Sequence, residues 1–379
     1  MSNATPGYRI CNRCIMDTSD PEIRFDADGR CNHCTDYLEN RINGVRPDTS
    51  GRELAALMEQ VKRAGQGRKY DCVVGVSGGV DSSSVVRLAG THGLRVLAVH
   101  MDNGWNSPIA VQNVSRLVGK LGVDYASYVL PWDDFRKVQV AFLEASIPEA
   151  ETPTDIAIQR AVHHYAAKEG VRHILGGGNI ASEGILPVAW HYNARDMRYS
   201  NAILRAANCP TKHFSTQRYG LKEEGYYKIL RGIKTVYPLN FMKYDKDAER
   251  ALLERDYGWE YYGSKHGESR FTKFIQNYYL YAKHGIDYRR ATASSELCAG
   301  KIDRDTALSR LEKLPYEGMD VEGELDYMAK KLAISRGDLD RIVAAAPKWY
   351  FDYPNNRKKL GQIYDAYRFL YGKQKRSNF

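Results

Sequence analysis

The spacing of hydrophobic and polar residues changes along the chain and separates three regions. Residues 1 to about 45 show little apolar periodicity and are rich in Cys, Asn, Asp and Arg. From about Gly51 apolar residues recur at helical spacing, and short apolar runs then alternate with helix-like segments. Beyond Tyr244 the pattern is helical and favours no further strand. The expected organisation is therefore 1–48, 49–245 and 246–379.

Five apolar runs in the middle region predict β-strands. They are YDCVVGVS (70–77), LRVLAVHM (94–101), VDYASYVL (123–130), VRHILGGG (171–178) and IKTVYPL (233–239). Helix-like segments separate most of them, and strands that alternate with such helices form βαβ units in a parallel sheet. The expected fold class is α/β. The stretch 184–222 has no clear period, which is typical of a functional or disordered segment.

Charge and hydrophobicity restrict the expected cellular location and partners of the protein. The net charge is +9, and residues 357–379 hold seven Lys or Arg against one Asp. That end is either a solvated amphipathic last helix or an anchor for nucleic acid, anionic lipid or an acidic partner. No apolar run reaches the length of a transmembrane helix, and the first residues lack the pattern of a secretory signal. We expect a cytoplasmic protein without a transmembrane segment.

The stretch VVGVSGGVDSSSVV, residues 73–86, predicts a phosphate site. Gly78 and Gly79 let an anion approach the backbone, and the following helix points its free N–H groups at the loop. Ser77, Ser82 and Ser83 add hydroxyl donors. A carboxylate beside phosphates requires a cation, so Asp81 suggests Mg²⁺. The stretch has neither the Lys of a Walker A loop nor a GxGxxG dinucleotide fingerprint.

The hexapeptide SGGVDS resembles the loop of the PP-loop superfamily, the N-type ATP pyrophosphatases. That superfamily includes GMP synthetase, NAD synthetase, asparagine synthetase and tRNA-thiolating enzymes. The resemblance implies an adenine nucleotide α-hydrolase-like fold that cleaves ATP to AMP and pyrophosphate. It also implies roles for residues at the ends of later strands: ATP contacts for Val99, Met101, Asn103, Gly177, Asn179 and Ser182, Mg²⁺ binding for Glu183 together with Asp81, and a phosphate contact for Lys234.

Four cysteines form two CxxC pairs, Cys11/Cys14 and Cys31/Cys34, with sixteen residues between the pairs. This spacing predicts a tetrahedral structural Zn²⁺ site, with an iron–sulfur cluster as the alternative. A lobe this small needs such a metal, because it cannot bury enough surface alone. The other cysteines are Cys72, Cys209 and Cys298, for which packing is the simplest interpretation.

Two functions compete within the superfamily. Zinc knuckles and the basic tail would suit a tRNA-thiolating enzyme, but no further cysteine pair lies in the middle region. The knuckle stretch CNRCIMDTSDPEIRFDADGRCNHC together with the loop resembles the N-acetyl sugar amidotransferases of O-antigen and other surface-polysaccharide pathways. Nucleic acid is then not an expected partner.

The amidotransferase resemblance implies a defined reaction. The N-acetyl group of a UDP-linked diacetamido uronic acid, or a related sugar, is adenylated, and ammonia then displaces AMP to give an acetamidino sugar. The family also implies that a separate glutaminase, related to that of histidine biosynthesis, supplies the ammonia. For the sugar we expect side chains from the segment 184–222. The candidates are His191, Arg195, Arg198, Lys212 and His213, since arginine forks suit carboxylate and diphosphate.

Overall fold

The computed structural model describes residues 7–42, 49–263 and 267–371. Its centre is a parallel five-stranded sheet in the order β3-β2-β1-β4-β5. The strands are β1 Cys72–Gly75, β2 Val96–Asp102, β3 Asp124–Val129, β4 His173–Leu175 and β5 Lys234–Val236. Four lie within the apolar runs that predicted them and β2 extends one residue beyond its run, to Asp102, so the expected α/β class is confirmed.

Alternate residues of the inner strands face two separate hydrophobic cores. Cys72 and Val74 pack with helices that precede and follow β1, whereas Val73 packs on the opposite side of the sheet. All three side chains are completely buried. Because side chains alternate across a strand, a parallel strand covered on both faces must be apolar at successive positions. That explains why Cys72, Val73 and Val74, before the glycine loop, are apolar at successive positions.

Helices cover both faces of the sheet. The early ones are α1 Asn32–Asp36, α2 Arg52–Ala64, α3 Val80–Thr91, α4 Pro108–Leu121, α5 Trp132–Glu144, α6 Thr152–Lys168, α7 Ile180–Glu183, α8 Met197–Ala206 and α9 Leu221–Gly225. The later ones are α10 Lys246–Tyr257, α11 Arg270–Phe274, α12 Leu280–His284, α13 Arg289–Cys298, α14 Arg304–Ser309, α15 Val321–Leu332, α16 Arg336–Ala344 and α17 Arg357–Tyr371. None of the described helices is long and apolar enough to span a membrane.

The segment 184–222 is more regular than its sequence indicates. It contains α8 and a short 3₁₀ turn at Thr211–Phe214. In α8 the buried positions are Tyr199, Ser200, Ile203 and Leu204, which form a stripe along one side of the helix. The expectation of an irregular segment was therefore wrong. A serine and a tyrosine contribute to this stripe, so a search for apolar residues alone did not detect it.

The cysteine lobe is packed against the C-terminal helices rather than standing apart. The backbone N–H of Ile15 donates to Ser294 Oγ at 3.2 Å, and Arg290 donates to the Ile15 carbonyl at 2.6 Å. Arg290 also forms an ion pair with Asp17 at 3.1 Å. The lobe therefore shares its buried surface with α13. It also contacts the end of α7, because the ring of Tyr37 lies where any side chain on Gly184 would stand.

Candidate active site

The glycine loop joins β1 to α3 at the carboxyl edge of the sheet. Gly79 is the N-cap of α3, so the first N–H groups of that helix open toward the loop. Gly78 has φ +85°, and a Cβ there would lie 2.4 Å from the Ala110 carbonyl oxygen. A Cβ on Gly177, after β4, would lie 3.0 Å from the Ser82 nitrogen. Both glycines are thus needed to bring the backbone segments together, as an anion-binding loop requires.

Serine hydroxyls fix the shape of this loop. Ser82 Oγ lies 3.1 Å from Ser77 Oγ and accepts from the Ser77 N–H at 3.2 Å. Ser77 Oγ in turn accepts from the Gly79 N–H at 3.3 Å. Ser77 is exposed and Ser82 is half-buried, so both hydroxyls can exchange these contacts for a phosphate. Ser83 differs, because its hydroxyl is fully buried without a hydrogen-bond partner among the described residues.

Asp81 holds two partners that sequence reasoning did not find. Its Oδ1 accepts from the Tyr244 hydroxyl at 2.5 Å, and its Oδ2 accepts from Lys246 Nζ at 2.6 Å. Burial lowers the pKa of Lys246, yet nearby carboxylates outweigh that effect and raise the pKa above its ordinary value. Those carboxylates belong to Asp81, Glu183 and Glu268. An ammonium among three carboxylates marks this place as a cation site beside the phosphate loop.

Residues near position 260 close the other side of the loop. Trp259 Nε1 donates to the Gly78 carbonyl at 3.1 Å. The Tyr262 hydroxyl and a Glu268 carboxylate oxygen lie 3.4 Å and 3.5 Å from where a Gly79 Cβ would stand. Burial, followed by the charge of Glu268 and a hydrogen bond to it, raises the pKa of Tyr262. The loop is therefore bordered by groups more than 175 residues away in the chain.

The glycines after β4 lead into α7, which brings Glu183 near the loop. Asn179 caps this short helix, its Oδ1 accepting from the Ser182 N–H at 3.0 Å and the Ser182 hydroxyl at 2.6 Å. The Glu183 carboxylate is exposed and accepts from the Asn179 N–H at 3.3 Å. Asn179 Nδ2 is buried and has no hydrogen-bond partner among the described residues. This amide donor is left for a ligand.

Asp81 and Glu183 carry the oxygen ligands that Mg²⁺ prefers. Each Asp81 oxygen has one hydrogen-bond partner and keeps a further lone pair, and the side chain is 22 % exposed. Glu183 acts electrostatically on Lys246, the cation already paired with Asp81. Both carboxylates therefore lie near the ammonium of Lys246.

The end of β2 forms another wall. The Val76 N–H donates to the Val99 carbonyl at 2.9 Å, and the Val99 side chain is buried. Met101 is half-buried two residues further along the strand. Asn103 is buried and uses its Oδ1 to accept from the Trp105 N–H at 3.2 Å. This edge offers an apolar surface and main-chain groups, which suit a nucleobase.

Lys234 does not lie with these groups. It begins β5 and pairs with His173 at the start of β4, so it stands at the amino edge of the sheet. The loop and the glycines after Leu175 lie at the opposite, carboxyl edge. The expected phosphate contact through Lys234 is therefore not supported by its position. Lys246, twelve residues later, occupies the place that sequence reasoning assigned to a basic residue.

The five residues expected to bind the sugar do not all lie together. Arg195 is near the loop region, because its charge and that of Glu183 both act on the buried phenol of Tyr237. Its guanidinium also pairs with Glu224 at 3.3 Å. His191 lies 3.8 Å from Asp155 in a recess lined by α6 and later helices. Arg198 and Lys212 are exposed and His213 pairs with Asp134; no hydrogen bond among the described residues joins these three to the loop.

The two CxxC pairs converge into one buried cluster. The Sγ atoms of Cys11, Cys14, Cys31 and Cys34 all lie within 4.8 Å of one another. Cys11 Sγ is 3.7 Å from Cys34 Sγ, and Cys14 Sγ is 3.5 Å from Cys31 Sγ. Tetrahedral zinc with Zn–S bonds of about 2.3 Å separates its sulfurs by about 3.8 Å. The four thiols therefore fit Zn²⁺, which would be held without an open coordination position.

Comparisons with known proteins agree with this geometry. Residues 52–186 match the family model described as NAD synthase, and residues 268–368 match the one described as LPS biosynthesis protein WbpG-like, C-terminal domain. The chain therefore contains a PP-loop domain similar to NAD synthase and a C-terminal domain similar to that of the WbpG-like lipopolysaccharide-biosynthesis proteins. No curated protein matches the chain significantly. The expected superfamily and the link to lipopolysaccharide biosynthesis are confirmed at this level.

Solved structures resemble parts of this PP-loop protein at low identity. An NH3-dependent NAD synthetase from Campylobacter jejuni is 15 % identical with a TM-score of 0.29, over 55 % of this chain and 93 % of that one. An NMN synthetase from Francisella tularensis gives 14 % and 0.31 over the same shares. A predicted tRNA methyltransferase subunit from Methanocaldococcus jannaschii gives 16 % and 0.28, over 48 % and 73 %. Likenesses this weak carry no information about activity.

The two matched segments of this PP-loop protein meet at the loop. The NAD synthase segment contains Gly78, Gly79 and Asp81, and the WbpG-like segment begins at Glu268. Glu268 is the carboxylate beside Gly79 and near Lys246. The ATP-utilising domain and the WbpG-like domain thus contribute to one site.

Proposed function

We propose that this PP-loop protein is an ATP-dependent amidotransferase that converts an N-acetyl group on a nucleotide-linked sugar into an acetamidino group. The observation that carries the proposal is the meeting of two domains at one loop. A NAD synthase-like loop supplies the ATP site, and Glu268, the first residue of a lipopolysaccharide-biosynthesis domain, borders that loop. A UDP-linked diacetamido uronic acid is the acceptor class we favour.

In the first proposed step the acetamide oxygen attacks the α-phosphorus of ATP and pyrophosphate leaves. Ser77, Ser82 and the N–H groups around Gly79 would hold the departing phosphates, replacing the contacts that they now make with each other. The Lys246 ammonium would stabilise the negative charge that develops on the departing pyrophosphate. Mg²⁺, when bound by Asp81 and Glu183, supplies further charge neutralisation.

In the second proposed step ammonia attacks the imidate carbon, and AMP departs with the former acetamide oxygen. No side chain has to act as a nucleophile, since adenylation has already provided the leaving group. The protein positions the reactants and excludes water, which is enough to account for large rate effects. We further propose that a separate glutaminase supplies the ammonia and that the reaction takes place in the cytoplasm.

The decisive experiment supplies the purified chain with ATP, MgCl₂, labelled ammonium and a panel of N-acetylated nucleotide sugars. The proposal expects AMP and pyrophosphate in equal amounts only when an acceptor sugar is present. Mass spectrometry should find the labelled nitrogen in the sugar, and oxygen label placed in the acetamide should appear in AMP. AMP formation with tRNA and a sulfur donor, and with no sugar, would overturn the proposal.

A further inference from the structure

A recess of about 100 Å³ is lined by residues around the start of α6 and by residues from later helices and loops. Three of its lining residues are acidic: Glu149, Glu151 and Asp155. Two others, Trp190 and Tyr288, are aromatic, and their rings are 6.4 Å apart. His191, Gln276 and three apolar or proline residues complete the lining, which contains no Lys or Arg. The recess is therefore small, and its wall carries more acidic than basic side chains.

Two buried polar atoms in the wall have no hydrogen-bond partner among the described residues. Glu149 is 3 % exposed and its Oε2 is unpaired, although Tyr199 donates to its other oxygen. Trp190 is 1 % exposed and its Nε1 is unpaired. An unsatisfied buried acceptor and an unsatisfied buried donor are each costly. A small ligand that both donates and accepts a hydrogen bond would satisfy the two together.

The side chains of the wall favour a positively charged ligand. Carboxylates repel the uronate and the diphosphate of a nucleotide sugar, so this recess is unsuited to those groups. Carboxylates and aromatic faces attract a small cation, and the faces of Trp190 and Tyr288 can contribute to that attraction. The volume admits only a few atoms. Among the proposed reactants, ammonium and ammonia alone fit both the size and the charge.

The recess adjoins the loop region through Tyr288. Burial raises the pKa of this phenol, and the nearby charges of Asp155, Glu151 and Glu183 raise it further. Glu183 also acts on Lys246, which is paired with Asp81. Tyr288 thus lies close to carboxylates of the recess and to one of the candidate active site. Tyr288 therefore links the recess to the Glu183 carboxylate of the candidate active site.

We propose that this recess binds ammonium and converts it to ammonia for the amidation step, an inference that rests on the proposed function. Ammonium donates to Glu149 Oε2 and to Asp155, and transfers one proton to the Asp155 carboxylate. The products are neutral ammonia and a protonated Asp155. Ammonia then has a free electron pair, which accepts from Trp190 Nε1 until it attacks the imidate. The Asp155 proton passes to His191, 3.8 Å away, and from there to solvent.

The acid–base properties of the wall agree with this assignment. Desolvation in the recess raises the pKa of Asp155 to about 7, although 37 % of its side chain is exposed, and this makes it a better proton acceptor than an ordinary aspartate. Burial lowers the pKa of His191, so the imidazole is neutral at pH 7 and can receive the proton. Glu149 and Glu151 are the other ionisable groups that face the ligand, and Thr272 and Gln276 hold Glu151.

Binding is tested first, without any sugar. NMR follows the indole N–H resonance of Trp190, assigned by its loss in Trp190→Phe, while ammonium chloride replaces sodium chloride at constant ionic strength. We expect a saturable shift with ammonium in the wild-type chain. Asp155→Asn should weaken binding about tenfold or more, the cost of a hydrogen bond to a charged group. Asp133→Asn, an 80 % exposed aspartate, is the matched control and should bind as the wild type does.

The same variants are then assayed with ammonium and an acceptor sugar. Asp155→Asn should raise the KM for ammonium about tenfold and leave the KM for ATP unchanged. Trp190→Phe keeps an aromatic ring but removes the N–H together with the five-membered ring, and should raise the ammonium KM at least about threefold, the effect of losing a neutral hydrogen bond. An equal response to sodium and ammonium, or an unchanged ammonium KM in Asp155→Asn, would overturn the inference.

These experiments test the ammonium site and the proposed reaction independently. If no sugar supports AMP formation while ammonium still shifts Trp190, the proposed function fails and the recess stands as an ammonium site. If amidation proceeds with free ammonium and Asp155→Asn has the wild-type KM, the proposed function stands and the recess assignment is wrong.

Discussion

Lys246 Nζ lies 2.6 Å from Asp81 Oδ2, so the carboxylate of the phosphate loop is neutralised by a lysine from the start of α10. The Tyr244 hydroxyl holds the other oxygen of the same carboxylate at 2.5 Å. Because the two partners are only two residues apart, one short segment fixes both oxygens. A change in the charge at the loop, such as the arrival of ATP with its metal, therefore acts directly on Lys246.

Replacing Lys246 with Met should lower ATP turnover about a hundredfold, because one preorganised charge at the phosphates is lost. The chain should stay folded, since the Lys246 side chain is 45 % exposed. The measurement is pyrophosphate release at saturating ATP. Lys243→Met, an exposed neighbour, is the control. A comparable loss in Lys234→Met, with Lys246→Met active, would instead support the role that the sequence indicated for Lys234.

Gly78→Ala should destabilise the chain and abolish ATP turnover. The left-handed backbone alone costs about 1–2 kcal/mol in any residue with a Cβ. The added carbon would also lie 2.4 Å from the Ala110 carbonyl oxygen, so the loop would have to move away from α4. Urea denaturation measures the free energy of unfolding.

The control for Gly78→Ala is Gly119→Ala, in the exposed part of α4. Nothing lies within 4 Å of a Cβ at that position, and its φ is negative. Alanine in a helix interior should stabilise by about 0.5–1 kcal/mol relative to glycine. Equal effects of the two substitutions would contradict the structure of the loop.

The zinc prediction distinguishes the four clustered cysteines from a fifth nearby. Cys14→Ser should lose stoichiometric zinc, measured by elemental analysis, because Cys14 Sγ is one of the four converging thiols. Cys298→Ser should retain zinc, although Cys298 interacts with Cys14 and Cys34. Zinc loss should also lower activity, since the lobe packs Tyr37 against Gly184, the residue after Glu183. Retention of zinc by Cys14→Ser would refute the site.

The sheet and the loop could be predicted from the sequence because their signals are local. Successive apolar residues such as Val73 and Val74 are required by a strand buried on both faces. The glycines and the helix start that make the anion site lie within seven residues of Gly75. The two cysteine pairs carry their own spacing rule. Each of these features needs no knowledge of how distant segments meet.

The partners of the loop could not be predicted, because they depend on tertiary packing. Lys246 and Glu268 lie 165 and 187 residues from Asp81, and nothing in their local sequence specifies that contact. Lys234 was chosen because it precedes Pro238, but its strand begins there and points it to the other edge of the sheet. The recess likewise combines α6 with residues after α7 and after α10, a combination that no sequence pattern predicts.

Glu149→Gln should stabilise the chain at alkaline pH and have little effect in acid. Burial raises the pKa of Glu149 from 4.5 to about 7, although a hydrogen bond from Tyr199 opposes the shift. The folded state therefore binds a proton more tightly than the unfolded state, and stability falls as pH rises from about 4.5 to about 7. The full cost above pH 7 is about 3 kcal/mol at most. Glutamine keeps the acceptor for Tyr199 and carries no charge, so it removes that cost.

Urea denaturation at pH 5 and pH 8, in sodium buffers without ammonium, measures how the free-energy effect of Glu149→Gln depends on pH. An equal effect at both pH values would show that Glu149 is charged in the folded chain throughout this range.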